Sequence, residues 1–249
     1  MLEVKLLSHS PDPLRSLYVA YRTAYSALTP QQIVERIDAD KITEERMLEF
    51  IEERLKTGHA SPLQQVYFEF AISGVSRAFS HQFVRHHVGI DIEQQSQRYV
   101  IFKNGEFPFT TPPSVAKASA EGKDGLSVFH TAMRAAREAY AALIAMGIPS
   151  EDARFVLPNA TNTNLKVTVN FLELQHIADQ RLCTRAQWEF RYAMGKMRGE
   201  VMRAYPWLGR YIGPKCMAFR LGYCDESFAD WQGCPFSKTR PHKSQVVPK

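Results

Sequence analysis

Cysteine is scarce in this sequence, and long hydrophobic runs are absent from it. Four cysteines in 249 residues are too few for the disulfide framework of a secreted protein. The longest mostly apolar run, residues 139–148, falls far short of the roughly 20 residues that a membrane-spanning helix needs. Residues 1–5 lack the basic and apolar regions of a signal peptide. We therefore expect a cytoplasmic protein that has no membrane partner.

Glycine-rich nucleotide motifs, internal repeats and flexible linkers are also missing. No Gly-x-Gly-x-x-Gly string occurs, which argues against a Rossmann flavoprotein. Because no Ser/Gly-rich stretch divides the chain, we expect one domain over residues 1–240 and a disordered basic tail over residues 241–249. The 45% of hydrophobic residues can form a core. A net charge of +5 favours an anionic partner, either nucleic acid or a phosphorylated small molecule.

Hydrophobic periodicity predicts a mostly helical α+β protein. The clearest strand is the stretch in which Val66, Phe68, Phe70 and Ile72 alternate with other residues, and a second short strand is predicted over residues 99–102. Helices are predicted to begin at Thr29 and Thr43, to cover residues 127–146, and to run from Asn170 for about 35 residues with a break near Cys183.

The stretch from Arg85 to Arg98 has the sequence RHHVGIDIEQQSQR. Three basic side chains followed closely by a carboxylate, a hydroxyl and another arginine are typical of a ligand-binding segment. Apolar residues at helical spacing precede it, so Arg85 is predicted in the last turn of an amphipathic helix. A basic helix end that complements the helix dipole would explain Arg85 and His86, but not Glu93 or Ser96.

This stretch resembles the signature of the flavin-dependent thymidylate synthases, which is Arg-His-Arg, seven residues, Ser, any residue, Arg and Tyr. Here His87 replaces the third arginine, and eight residues precede Ser96. Three other strings are similar to family segments and stand in the family's order: Gly-His-x-Ser-Pro at residues 58–62, Ala-Arg-x-x-Leu-Pro at residues 153–158, and Arg181 followed five residues later by Ala-Gln-Trp-Glu. The resemblance is spread over residues 58–191.

The resemblance implies the family's α+β, non-Rossmann fold, assembled as a homotetramer with sites between subunits. It implies reductive methylation of dUMP to dTMP. Methylenetetrahydrofolate would supply the carbon, NADPH would reduce FAD, and reduced FAD would deliver the hydride. No nucleic-acid partner and no metal are expected.

The resemblance also implies roles for individual residues. Arg181 and Ser96 would be catalytic, Arg181 by stabilising charge on the pyrimidine and Ser96 by binding the nucleotide rather than as a covalent nucleophile. The residues near FAD would be Ser61, Arg85, His86, His87, Val88, Glu93, Asn170 and His176. The nucleotide would be bound by Gln82, Arg85, Ser96, Gln97, Arg98, Arg154 and Arg181, and the folate by His59. Because of the longer spacer, Gln94 competes with Glu93 for the family's glutamate position.

Arginine is also the residue that suits a nucleotide phosphate on chemical grounds, because its planar guanidinium donates two parallel hydrogen bonds. Arg85, Arg98 and Arg154 are the candidates. Ile177, Arg181 and Arg185 are spaced by four residues, so a continuous helix would carry them on one face. For Arg185 a solvated basic face is an equal alternative.

Two other functions remain open. The first is a flavin-dependent methylase or hydroxymethylase of another pyrimidine nucleotide, motivated by His87 and the longer spacer. The second is a non-catalytic basic nucleic-acid-binding module, which predicts a colourless protein with salt-dependent affinity. Cys216, Cys224 and Cys234 could bind zinc together with Cys183 or His242, but their spacing lacks a Cys-x-x-Cys pair and favours ordinary small apolar residues.

Overall fold

A computed structural model describes residues 1–217 and 219–247 of the chain. It is an α+β structure, as predicted, and its sheet is small and antiparallel. The strands are β1 (Glu3–His9), β2 (Tyr67–Ser76), β3 (Ile90–Gln94) and β4 (Asn162–Asn170). The helices are α1 (Pro13–Tyr25), α2 (Pro30–Asp38), α3 (Glu44–Lys56), α4 (Arg77–Phe83), α5 (Pro113–Ala120), α6 (Gly125–Ala145), α7 (Ser150–Ala153), α8 (Phe171–Arg181), α9 (Trp188–Ala204), α10 (Pro206–Gly209), α11 (Phe228–Gln232) and α12 (Lys243–Val246).

The strands pair in the order β1-β2-β4-β3. Backbone hydrogen bonds fix the antiparallel register, because they join the C-terminal ends of β1 and β4 to the N-terminal end of β2. Ser10 donates to the carbonyl of Tyr67 at 3.0 Å, and Phe171 donates to the carbonyl of Val66 at 2.8 Å. The buried positions of β2 alternate, as its period of two predicted.

The chain divides into two compact units, which we call unit 1 and unit 2. Unit 1 consists of residues 1–4, 71–86 and 92–167, and it contains α4 to α7. Its core is built on aromatic side chains, among them Phe79, Phe83, Phe107 and Tyr140, none of which is exposed to solvent. Helix α5 packs against α6. Burial of these large rings supplies the apolar contact that holds unit 1 together.

Unit 2 consists of residues 5–70, 87–91 and the described part of residues 168–249. Helix α1 packs against α2 and α3, and α9 packs against α8 and α10. The fully buried side chains of this unit include Leu17, Tyr21, Ile51, Phe171 and Phe190. Because α8 is buried over most of its length, the polar residues that it carries are fixed by packing.

Helix starts follow the local signals in the sequence. The Thr29 hydroxyl accepts from the Gln32 amide while the Gln32 side chain accepts from the Thr29 amide, which completes the predicted capping box of α2. Thr43 caps α3, and Asn170 caps α8 by accepting from the Glu173 amide at 2.9 Å. The predicted break near Cys183 is confirmed, since α8 ends at Arg181 and α9 begins at Trp188.

Three local predictions were wrong. Helix α4 ends at Phe83, two residues before Arg85, so the basic cluster follows the helix instead of forming its last turn. Residues 99–102 do not form a strand, because Val100 donates to the carbonyl of Ser96 and closes a turn. Arg185 does not continue the helical face of Ile177 and Arg181, because it lies beyond the end of α8.

The C-terminal stretch is structured as far as it is described. Within residues 241–247, which belong to the predicted tail, α12 forms and His242 is buried. Pro248 and Lys249 lie outside the described residues. Among the described helices, none combines the length and the apolar character that a membrane span needs.

Candidate functional site

Unit 1 brings two of the predicted phosphate-binding arginines to one residue. The Nε atom of Arg98 lies 2.6 Å from Oε2 of Glu151, and Nε of Arg154 donates to the backbone carbonyl of Glu151 at 3.0 Å. The Ser150 hydroxyl donates to the carbonyl of Arg98 and fixes the backbone of this turn against α7. Arg98 and Arg154 are therefore held together although 55 residues separate them in the sequence.

A third arginine belongs to the same group. Burial, and then the positive charge of Arg154, lower the pKa of Arg77. The backbone amide of Arg77 donates to the carbonyl of Thr161 at 2.9 Å, and this bond holds the start of α4 against the chain that leads into β4. Three guanidiniums with one carboxylate form a cluster that is short of negative charge, which is the composition of an anion-binding site.

The predicted residues Ser96 and Gln97 lie in the turn that follows β3. The Ser96 hydroxyl accepts from the Arg98 amide at 3.1 Å, so it shapes the turn that carries Arg98. The side-chain nitrogen of Gln97 is buried and has no hydrogen-bond partner among the described residues. A buried donor without a partner is costly, so Gln97 is suited to a ligand acceptor.

Glu93 and Gln94 point in different directions because successive strand residues face opposite sides. The side-chain nitrogen of Gln94 donates to the hydroxyls of Ser80 at 3.1 Å and Thr163 at 3.2 Å. Glu93 is exposed. Of the two competitors, only Glu93 therefore has a side chain that is available to a ligand.

The other predicted residues of unit 1 lie at the end of α4. The Gln82 side chain donates to the carbonyl of Ala78, one helical turn earlier, at 3.3 Å. Arg85 is exposed, whereas His86 retains only 8% of its exposure. Of these two neighbouring residues, Arg85 is thus the exposed one and His86 the buried one.

In unit 2, the predicted folate residue His59 is held through both ring nitrogens. Its Nδ1 atom is hydrogen-bonded to the hydroxyl of Tyr25 at 2.8 Å, and its Nε2 atom to the hydroxyl of Ser61 at 3.1 Å. Tyr21 donates to the carbonyl of His59 at 2.8 Å, and burial raises the pKa of Tyr21 to about 12. These contacts fix the orientation of the imidazole.

A cavity of about 820 Å³ opens beside His59 and Ser61. Helix α1 supplies one wall, which includes Ser16, Val19 and Thr23, and the turn after Ser61 supplies another. The mixture of small apolar and hydroxyl side chains, together with the size, fits an organic ligand of the dimensions of a cofactor.

Two further predicted residues, Asn170 and His176, lie on either side of Glu173 at the start of α8. Asn170, Glu173 and His176 follow one another at intervals of three residues on this helix, and Gln180 donates to Nε2 of His176 at 3.0 Å. Burial raises the pKa of the Glu173 carboxyl, while His176 and His87 act in the opposite direction. His87 therefore lies close enough to Glu173 for their charges to interact.

The loop that carries His87 and Val88 is pressed against α8. The amide of Asn170 donates to the carbonyl of Gly89 at 2.9 Å. Gly89 has a φ of +71°, and a Cβ atom at this position would come within 2.9 Å of Cγ of Asn170. Only glycine fits this close approach, which leaves Val88 exposed next to it.

Arg181 lies at the last turn of α8. Its Cζ atom is 4.6 Å from the centre of the Phe190 ring, and burial lowers its pKa. Arg185 differs from it, because Arg185 is exposed and forms ion pairs with Glu226 and Asp230. Arg181 is thus a partly desolvated cation on a fixed aromatic ring, whereas Arg185 is a surface residue.

The comparison with protein families agrees with the motifs. The family model described as thymidylate synthase complementing protein matches residues 5–207. The flavin-dependent thymidylate synthase of Geobacter sulfurreducens is 40% identical over 225 residues, which are 90% of this chain and 91% of that protein. The chain belongs to the flavin-dependent thymidylate synthase family. The family's enzyme from Pyrococcus abyssi is 33% identical over 100% of this chain and 99% of its own length.

A solved structure supports the fold of this flavin-dependent thymidylate synthase family member. The chain is similar to the UMP/dUMP methylase PolB from Streptomyces cacaoi, whose structure was solved with 5-Br dUMP. The TM-score is 0.68, with 18% identity over 85% of this chain and 94% of that chain. At this identity the likeness concerns the fold alone.

Sequence reasoning missed several residues that the structure adds to the family motifs. Arg77 could have been noticed, since a basic residue in the first turn of a helix opposes the helix dipole. Glu173 carries only the ordinary signal of an acidic residue in the first turn of a helix. Glu151 gives no such signal, because its role depends on the long-range contact with Arg98.

The cysteines lie outside these groups. The hydroxyl of Thr184 donates to Sγ of Cys234, and Arg240 donates to Sγ of Cys216 at 3.1 Å. Within residues 1–217 and 219–247, no three His, Cys, Asp or Glu side chains are arranged to hold a metal ion.

Proposed function

We propose that the protein catalyses the reductive methylation of dUMP to dTMP and works as a homotetramer. In this reaction methylenetetrahydrofolate is the carbon donor, NADPH is the reductant and FAD is the cofactor. The observation that carries the proposal is the arginine cluster of unit 1, in which Arg98 and Arg154 both contact Glu151 and Arg77 lies close enough to Arg154 for their charges to interact. A nucleotide monophosphate carries the charge and the acceptor geometry that such a cluster binds. Family membership supplies the reaction class.

In this proposal the arginine cluster holds the phosphate, and neighbouring residues hold the rest of the nucleotide. Arg98 and Arg154 bind the phosphate oxygens, while Ser96 keeps the Arg98 turn in shape. The buried amide nitrogen of Gln97 donates to an acceptor of the nucleotide. Gln82 and Arg85 contribute from the end of α4. Ser96 acts by positioning.

The residues of unit 2 carry hydrogen-bond donors of the kind that a flavin binds. Asn170, His87 and His176 present amide and imidazole groups, and the Gly89 loop lets the backbone pass close to Asn170. Ser61 lines the cavity beside α1, and Val88 belongs to the Gly89 loop. Arg85, His86 and Glu93, the other residues proposed for the flavin, belong to unit 1. FAD, when bound, supplies the hydride. His59, oriented by Tyr25 and Ser61, contacts the folate at the same cavity.

Arg181 stabilises the negative charge that develops when carbon or hydride adds to the pyrimidine. The Phe190 ring fixes its guanidinium, and partial burial reduces the screening of its charge by water. A preorganised charge of this kind lowers the barrier because it does not reorganise during the reaction.

The first test is flavin binding and turnover. We expect the purified protein to be yellow, or to quench the fluorescence of added FAD. We also expect it to release tritium from 5-tritiated dUMP when NADPH, FAD and methylenetetrahydrofolate are present. A colourless protein that ignores millimolar FAD, or one that releases no tritium, would contradict the proposal.

A second test replaces His87 by the arginine of the family signature. Histidine is mostly neutral at pH 7, whereas arginine stays charged and donates two parallel bonds. Because Glu173 supplies a negative charge nearby, His87→Arg should be accommodated and should tighten FAD binding about tenfold in a fluorescence titration. The matched control is His81→Arg, at an exposed residue of α4, which should leave FAD affinity unchanged. Weaker FAD binding by His87→Arg would mean that the loop follows another path around the flavin.

A second candidate function keeps this chemistry and changes the nucleotide. His87, in place of the family arginine, motivates it. A panel of dUMP, UMP and dCMP separates the two functions, since a preference for UMP or dCMP over dUMP would favour the second.

A further inference from the structure

Unit 2 contains a basic cavity that plays no part in the proposed reaction. It has a volume of about 310 Å³ and lies among α1, α2 and α3. Four cationic side chains line it, namely Arg22, Arg36, Lys41 and Arg46. Its remaining lining is apolar or aromatic and consists of Tyr18, Leu28, Ile33 and Ile42. Among the described residues, no carboxylate lines the cavity.

The positive charge of this cavity is not neutralised by the protein's own acids. In the part of the chain that the structure describes, none of the four cations has an ion-pair partner within 4.0 Å. Asp38, an acidic residue at the end of α2, is engaged by Arg15, with 2.6 Å between Nη1 and Oδ1. Arg36, Lys41 and Arg46 are exposed and Arg22 is half-buried, so their charges are accessible to an anionic ligand from solvent.

Local structure orients the side chain of Arg22 and positions the backbone of Lys41. The guanidinium of Arg22 lies 5.0 Å above the Phe50 ring, which fixes its plane. The amide of Lys41 donates to the carbonyl of Arg36 at 3.0 Å, across a turn in which Asp40 has a φ of +52°. This bond keeps Lys41 next to the end of α2.

Arg46 is the residue least explained by stability. It lies in the first turn of α3, where its amide donates to the hydroxyl of Thr43 at 3.3 Å. A cation near a helix N-terminus opposes the helix dipole. Glu44 and Glu45 in the same turn complement the dipole, so the case for an anion rests on the cations of the cavity and not on this helix end.

We propose that this cavity binds the polyphosphate group of a small molecule. A nucleoside polyphosphate is the class that fits both the cationic and the apolar part of its lining. Arg36, Lys41 and Arg46 bind the phosphate oxygens, and Arg22 adds a fourth positive charge from its fixed position on Phe50. The wall of Tyr18 and Ile33 accepts an apolar or aromatic portion of the ligand. The cavity lies apart from His59 and Ser61, which line a different cavity.

Calorimetric titrations with inorganic tripolyphosphate and with a nucleoside triphosphate test the proposal. The triple variant Arg36→Gln/Lys41→Gln/Arg46→Gln should weaken both ligands about a hundredfold, because it removes three charge-assisted contacts. The matched control is Lys103→Gln/Arg134→Gln/Lys238→Gln, which removes the same charge from exposed positions outside the cavity. It should leave both affinities within about twofold. Arg154→Gln should do the same, which excludes binding at the proposed dUMP site.

The two ligands separate the contributions of the two surfaces. If the nucleoside triphosphate binds more tightly than tripolyphosphate, the apolar wall is part of the site. If the two bind equally, the site recognises the polyphosphate alone. The proposal is overturned if the wild type does not bind tripolyphosphate at millimolar concentration, or if the control variant weakens binding as much as the cavity variant does.

Discussion

Replacing Arg181 by alanine is expected to lower the methylation rate about a hundredfold or more, while FAD stays bound. The expected loss is that of one preorganised charge at the reacting ring. Arg181→Lys should recover only part of the rate, because a point charge on a flexible stem cannot reproduce the planar stacking on Phe190. Tritium release from 5-tritiated dUMP measures the rate, and flavin absorbance measures cofactor retention.

The control for this experiment lies four residues along the chain. Arg185→Ala removes an exposed arginine that pairs with Glu226 and Asp230, and it should leave the rate nearly unchanged. If Arg181 served only to pack on Phe190, its loss would cost about 1 kcal/mol of stability and no activity. Full tritium release by Arg181→Ala would remove this residue from the mechanism.

The second large effect is expected at Gly89. An alanine there has to adopt a left-handed conformation, and its Cβ displaces the side chain of Asn170, which caps α8. We expect Gly89→Ala to lower the free energy of unfolding by about 2 to 3 kcal/mol, the sum of the conformational cost and the lost cap. FAD affinity should fall together with it, because Asn170 belongs to the proposed flavin site.

Gly147→Ala is the matched control for Gly89→Ala. Gly147 also has a positive φ, of +80°, but a Cβ there meets no atom within 4 Å. Gly147→Ala should therefore lower the free energy of unfolding only by the cost of the left-handed backbone conformation, and it should keep full FAD affinity. Thermal unfolding and a flavin titration of both variants distinguish the two effects. Equal losses of stability in the two variants would show that the contact of Gly89 with Asn170 does not contribute to the free energy of unfolding.

The sequence allowed prediction of those elements whose signals are local. Thr29, Thr43 and Asn170 are cap residues followed by apolar residues at helical spacing, and all three begin helices. The strand expected at residues 99–102 was wrong because a strand needs a partner, and the Ser96 turn removes this segment from the sheet. Tertiary pairing cannot be inferred from the alternation of four residues.

The candidate site could be predicted only as a set of residue types. Family motifs identified Arg98 and Arg154, but the motifs do not contain the contact that joins them through Glu151. Arg77 and Glu173 were missed because their significance depends on burial, which follows from the packing of distant segments. The family signature likewise gives no indication that His87 lies near a buried carboxyl.

The salt bridge between Glu151 and Arg98 has a consequence for how an anion would enter unit 1. The Glu151 carboxylate is an internal counter-ion of Arg98, so a phosphate that bound there as proposed would have to displace it, and binding would exchange one anion for another. The bond of Arg154 to Glu151 uses the backbone carbonyl, so it does not depend on the carboxylate. Such an exchange would release fewer bound counterions into solution than the filling of a bare cationic pocket. The affinity for the anion would therefore depend less on ionic strength.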